Sequence, residues 1–207
     1  MTALRQTWQV TLRSLRVIAR QPAFLVAVLC GMVSYGVMNL LMTATPLAMI
    51  SCKHPFSDAA FVIQWHLVGM FAPSFVTGTL IRRFGLTTIM LAGVVLNFAA
   101  IAIALAGVEV LHFWLALVVL GVGWNFLFVG STTLLTESHT PAERAKVQGV
   151  NDAAIFITMV VSSLSSGALF TLQGWQTMNA AAVPFIALAG AGLVWLAIRR
   201  RFSSPVA

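Results

Sequence analysis

Apolar residues along this chain neither alternate nor keep to one helical face. They run on, in six stretches at 23–45, 59–81, 86–107, 112–134, 148–171 and 178–198. A helix rises about 1.5 Å per residue, so roughly 20 residues cross a hydrocarbon core about 30 Å thick. Each stretch has that length. The stretches are continuous and rich in Leu, Ala and Val, where a transmembrane barrel would need short alternating strands, so helices are left as the way to satisfy the backbone in lipid. The expected fold class is all-α, a polytopic membrane protein of six transmembrane helices.

Composition agrees. Hydrophobic residues make up 59% of 207 and the mean hydropathy is +0.95, more apolar surface than a soluble fold of this size can hide. The net charge of +7 would suit nucleic acid in a soluble protein, so the position of each charge decides its meaning. Arg5, Arg13, Arg16 and Arg20 precede the first span, Arg82 and Arg83 separate the second from the third, Arg144 and Lys146 the fourth from the fifth, and Arg199, Arg200 and Arg201 follow the sixth. Lys53 is the one basic residue of twelve in the alternate loops. The positive-inside rule then puts both termini in the cytoplasm and makes lipid, not nucleic acid, the partner of this charge.

Three segments follow: a basic N-terminal segment at 1–22, a transmembrane domain at 23–198 and a basic cytoplasmic tail at 199–207. In the first, Leu4, Trp8, Leu12, Leu15 and Ala19 lie at near-helical spacing beside an arginine face, which suits an amphipathic helix on anionic lipid or equally a linker. The apolar run after Pro22 is too long for a cleaved signal. Cys30 and Cys52 stand roughly 33 Å apart if helical, which excludes a disulfide between them.

Six spans divide into two groups of three of opposite direction, the orientation of an inverted 3+3 repeat. Polar residues concentrate in spans one, two, four and five: Tyr35, Asn39, Gln64, Asn125, Thr132 and a serine-rich run. Spans three and six carry little beyond Asn97 and Asn179 and read as outer supports. On the fifth span Gln148, Asn151, Thr158, Ser162, Ser165 and Ser166 fall within an arc of about 100°, opposite Ala153, Ile157, Val160, Leu164 and Ala168. Such an arc lines a wet path or lets two helices approach closely. On the fourth, Trp114, Gly121, Asn125, Phe128, Thr132 and Thr136 share a face; on the first, Tyr35, Asn39, Met42 and Pro46 do. Aromatic rings, methionines and amides suit amphipathic organic molecules better than inorganic ions. The candidate substrate path is Tyr35, Asn39, Gln64, Trp124, Asn125, Thr132, Asn151 and Ser162.

Pro73 and Pro184 remove a backbone bond each and permit kinks. An ordinary imidazole titrates near neutral pH, which makes His66 the candidate for proton coupling, set against the commoner case of a packed neutral histidine. Asp152, the sole carboxylate in a span, lies near an inner end, where pairing or gating suits it.

The segment GTLIRRFG, Gly78 to Gly85, resembles the loop signature between helices two and three of the major facilitator superfamily, with Arg82 where its first-half version has aspartate. The stretch GVGWNFLFVGSTTLLTESHTPAERAKVQGVND, Gly121 to Asp152, is similar to helices ten and eleven of bacterial drug and metabolite exporters in that superfamily. The resemblance covers nearly the whole chain but only the C-terminal half of a normal transporter. It implies a six-helix half in the bacterial inner membrane, facing a second six-helix half across a substrate path and exporting small organic molecules. Gly78, Arg82, Arg83, Gly85 and Asp152 would then form the gating loops, or the arginines anchor topology alone. A homodimer would bring Arg82 of one copy near Asp152 of the other. The competing function is a truncated, non-transporting chain that acts by helix association.

Enzyme chemistry has no foothold: the chain lacks a phosphate-binding Gly-Lys-Ser/Thr loop, a His-Glu-x-x-His helix and a Gly-x-Ser-x-Gly elbow. No catalytic residue, cofactor or metal site is expected. The charge distribution makes one direct prediction. In a Cys-free background, Lys53→Cys is labelled by a membrane-impermeant thiol reagent in intact cells and Arg83→Cys is not; labelling at 83 reverses the orientation.

Overall fold

The computed structural model describes residues 17–203, and these form helices joined by short loops, with no strand among them. The amphipathic reading of the N-terminal segment therefore falls mostly outside the described residues. In chain order the helices are α1 (Pro22–Ser51), α2 (Phe56–Phe71), α3 (Ser74–Phe84), α4 (Leu86–Ala106), α5 (Val110–Thr136) and α6 (Arg144–Ser203). Pro22 starts α1, where its missing N–H has no helical partner to lose. α1 runs past Pro46 to Ser51, six residues beyond the expected end of the first span at residue 45.

The second span is broken, as Pro73 allows: α2 and α3 meet at a bend of 41°. Gly85, at φ 89°, ends α3 and opens α4, a turn for which glycine is suited because it has no Cβ. α6 holds 60 residues, far more than one crossing needs, and Gly174 at φ 76° and ψ 176° divides it into two arms. Pro184 lies in the second arm without ending it. Before α6, Glu143 accepts hydrogen bonds from the Thr140 N–H at 2.9 Å and hydroxyl at 3.0 Å, the pattern of a capping box. Those bonds, the backbone one first, hold the Glu143 carboxyl below its usual pKa, so this cap weakens as pH falls through that range.

α5 is the hub. It touches α1, α2, α3 and α4, and glycine lets two of those crossings reach backbone contact. A Cβ on Gly69 would stand 2.7 Å from the Val118 carbonyl, and one on Gly121 would stand 2.8 Å from both the His66 carbonyl and the Met70 nitrogen. On the other side, a Cβ on Gly93 would meet the Leu127 nitrogen at 2.8 Å, and one on Gly123 would meet Asn97 Nδ2 at 2.9 Å. Helix association in lipid gains little from hydrophobicity, so such close contact is a main source of cohesion.

The first arm of α6 lies along α1. Gly31 faces Ile155, Gly36 faces Thr158 and Leu40 faces Ser166, so the two run in the same direction. The second arm packs on α4, where the Trp175 indole donates to the Ala104 carbonyl at 3.0 Å, and on the start of α1, where Gly192 faces Leu29. Asn97 and Asn179 turn inward, at 1% and 0% exposure, each donating to the carbonyl four residues earlier. The spans read as outer supports thus each bury their one amide.

Overpacking at backbone contact costs about 1–3 kcal/mol. Gly121→Val should lower the thermal midpoint in detergent by that equivalent, while Gly149→Ala, a helical position whose added Cβ meets nothing within 4 Å, should hold it or raise it slightly.

Candidate functional site

The break at Pro73 leaves backbone groups in need of partners, and α5 supplies one. With proline lacking an N–H, the last carbonyls of α2 lose helical donors. Asn125 Nδ2 donates to the Met70 carbonyl at 2.8 Å and to Ser74 Oγ at 2.6 Å, while its Oδ1 accepts from the Thr77 hydroxyl at 2.7 Å. Since the Met70 carbonyl can only accept, the amide orientation is settled by its partners. Asn125, 1% exposed, therefore ties the end of α2 to the start of α3.

One residue before it, Trp124 begins a cluster of rings. Trp124 stacks on Phe128 with centroids 5.1 Å apart, and Tyr35 from α1 stands edge-on to both, at 5.1 and 4.7 Å. Phe71, more than half exposed, meets Trp124 at 6.2 Å. Met38, Met42 and Met70 complete the group. The indole N–H of Trp124 is buried with no hydrogen-bond partner among the described residues. Tyr and Trp in such positions usually find one.

The remaining candidates divide by environment. Asn39 reaches α6, donating to Ser162 Oγ at 2.9 Å and to the Met159 carbonyl at 3.0 Å. Ser166 donates to the Leu40 carbonyl at 2.8 Å, so the serine arc of α6 meets α1. Thr132 bonds its own helix at the Val129 carbonyl, and Asn151 donates to Asp152 at 3.2 Å. Gln64 is exposed on α2. His66 is fully buried and bonds the Leu117 carbonyl through Nδ1 at 2.7 Å, with Nε2 unpartnered among the described residues. Arg82 donates to Thr79 at 3.1 Å, Arg83 lies 5.2 Å from the Phe84 ring centre, and Asp152 is exposed. The added Cβ at Gly78 meets nothing within 4 Å.

So Tyr35 joins Trp124, Asn39 joins Ser162, and Asn125 stands in a separate polar knot. Ser74 and Thr77 escaped sequence reading. Their signal was a serine and a threonine one and four residues after Pro73, positions from which a hydroxyl can serve a broken helix.

Comparison with known proteins decides the family: residues 12–207 match the family model described as Major Facilitator Superfamily. The chain belongs to the major facilitator superfamily. The resemblance carried by the Gly78 to Gly85 loop is thereby borne out. Among superfamily relatives, the chain is 48% identical over 176 residues to the riboflavin transporter RfnT of Brucella anthropi, covering 85% of this chain and 44% of that protein. It is 39% identical over 135 residues to YddS of Bacillus subtilis, an uncharacterized transporter of the same type, covering 64% of this chain and 30% of that one. The chain thus spans less than half the length of these relatives. As a superfamily member it is a multi-pass membrane protein of transporter type, not an enzyme.

The bonds between α1 and α6 give a quantitative expectation. Interhelical hydrogen bonds in membrane proteins average about 0.6 kcal/mol. A double-mutant cycle of Asn39→Ala and Ser162→Ala, followed by unfolding in detergent, should return a coupling of about that size; strict additivity would mean that the pair is not formed.

Proposed function

We propose that this chain is one six-helix half of a secondary transporter that moves a small, flat heteroaromatic molecule, with riboflavin as the substrate to test first. The carrying observation is the ring cluster of Tyr35, Phe71, Trp124 and Phe128, read with 48% identity to a riboflavin transporter. Aromatic faces and methionines hold a planar ring by stacking and dispersion, and the unpartnered Trp124 N–H offers a donor to a ring carbonyl. The half works with a second six-helix half, or as a homodimer in which Arg82 of one copy approaches Asp152 of the other.

The packing supports a 3+3 inverted repeat. α1 pairs in parallel with the first arm of α6, and the span formed by α2 and α3 pairs in parallel with α5; exchanging the first three spans with the last three maps one pair onto the other. α4 against α5 and the second arm of α6 against α1 form a second exchangeable pair. Such pairing suits a unit that rocks as a body. Both termini lie in the cytoplasm of a bacterial inner membrane in this reading, and the direction is export.

Riboflavin fluorescence gives the test. The purified full chain in lipid should quench the flavin on binding, and Trp124→Leu should weaken the half-saturation about tenfold, the equivalent of one lost stacking contact. Inside-out vesicles that accumulate riboflavin faster than right-side-out ones would support export. Absence of quenching by the parent chain would overturn the substrate.

A further inference from the structure

The ring cluster and the polar knot at the Pro73 break share the same two short segments. On α2, the Met70 side chain and the Phe71 ring pack toward Trp124, while the Met70 carbonyl accepts from Asn125. On α5, Trp124 and Asn125 are consecutive. Anything that displaces the rings therefore acts directly on the residues that hold α3 to α2.

The knot is built to release on one side. Asn125 uses both amide hydrogens, one on each side of the break: Met70 on α2 and Ser74 on α3. Its oxygen is held by Thr77, but the Thr77 hydroxyl has one proton and two acceptors in reach, Asn125 Oδ1 at 2.7 Å and the Pro73 carbonyl at 2.8 Å. Rotation of that hydroxyl hands its proton to its own helix and leaves Asn125 Oδ1 as the group that must find another donor. α3 is also lightly held elsewhere, since Thr77 is its one buried residue. A short helix with few packed side chains, held to α5 by Ser74 and by one exchangeable bond, is the part of the span most open to movement.

We infer that Asn125 and Thr77 form a hinge latch, by which occupancy of the ring cluster sets the angle of α3 and so the position of the Arg82 and Arg83 loop. This rests on the substrate reading above for the identity of the occupant, though not for the latch itself. Thr77 and Asn125 act here as positioning residues: neither touches the substrate, and each acts through the backbone at the break.

The test uses the full chain in lipid, free of Cys30 and Cys52, with spin labels at Phe84→Cys and Thr136→Cys, the inner ends of α3 and α5. Without any ligand, Thr77→Val should broaden the distance distribution between the labels, and Thr77→Ser, which keeps the hydroxyl, should restore the parent width. With riboflavin, the parent distribution should shift, and Thr77→Val should lose about half of that shift or more. In transport, Thr77→Val should slow turnover about tenfold, counted per chain competent to bind riboflavin by quenching so that any unfolded fraction drops out, while leaving the riboflavin half-saturation within about twofold. If Thr77→Val does not survive extraction, Ser74→Ala, which cuts the other bond from α3, takes its place with the same expectation. An unchanged width without ligand, or turnover and affinity falling together, overturns the latch. Should the parent chain fail to quench riboflavin, the substrate reading falls and the ligand-free widths still decide the hinge.

Discussion

Everything in this fold depends on how thin α5 is where its neighbours cross it. In lipid, apolar side chains gain nothing by leaving their surroundings for one another, so helices hold together through close packing and interhelical hydrogen bonds. Gly121 and Gly123 remove side-chain bulk from two sides of α5, which brings α2 against one and α4 against the other at backbone distance. Gly69 and Gly93 answer them from the facing helices. Once backbones approach that closely, the side chains above and below the crossing have few places to go. His66 finds the Leu117 carbonyl, Asn97 lies beside Gly123 and Asn125 reaches into the end of α2.

The second constraint is the need to satisfy every backbone polar group in a region without water. Pro73 breaks that rule in the middle of a span, and Asn125 with Ser74 and Thr77 repairs it. The repair is local and made of side-chain bonds, so it is weaker than a continuous helix. A membrane protein that keeps such a break has a place where one part of a span can turn against the other. The ring cluster beside it makes that place chemically addressable, since the same residues of α2 and α5 serve both.

Much of the architecture was legible before any coordinate. Continuous apolar runs marked the apolar helices, Pro73 marked a place where one can bend and the Gly78 to Gly85 loop pointed to the superfamily. Tyr35 and Trp124 were read as candidates for a substrate path and Phe128 as part of the polar face of its helix, but that the three rings meet across two helices was not visible in the spacing. Asn125 was read with them, yet it lies in a different environment, since adjacent residues on a helix point about 100° apart. Ser74 and Thr77 drew no notice. Nothing in their own neighbourhood says that an amide 51 or 48 residues away will meet them.

By itself, the sequence determined that this chain lives in lipid, how many apolar segments it has and where the chain can bend, because hydropathy, proline and glycine act within a segment. Only the tertiary structure decided which polar groups bond to one another. It gave Asn39 to Ser162 across 123 residues, kept Asn125 for a helix break and left the Trp124 indole N–H without a partner among the described residues. The physical reason is range: a segment's transfer into lipid is a sum over its own residues, whereas a hydrogen bond exists only if packing brings two distant atoms within about 3 Å.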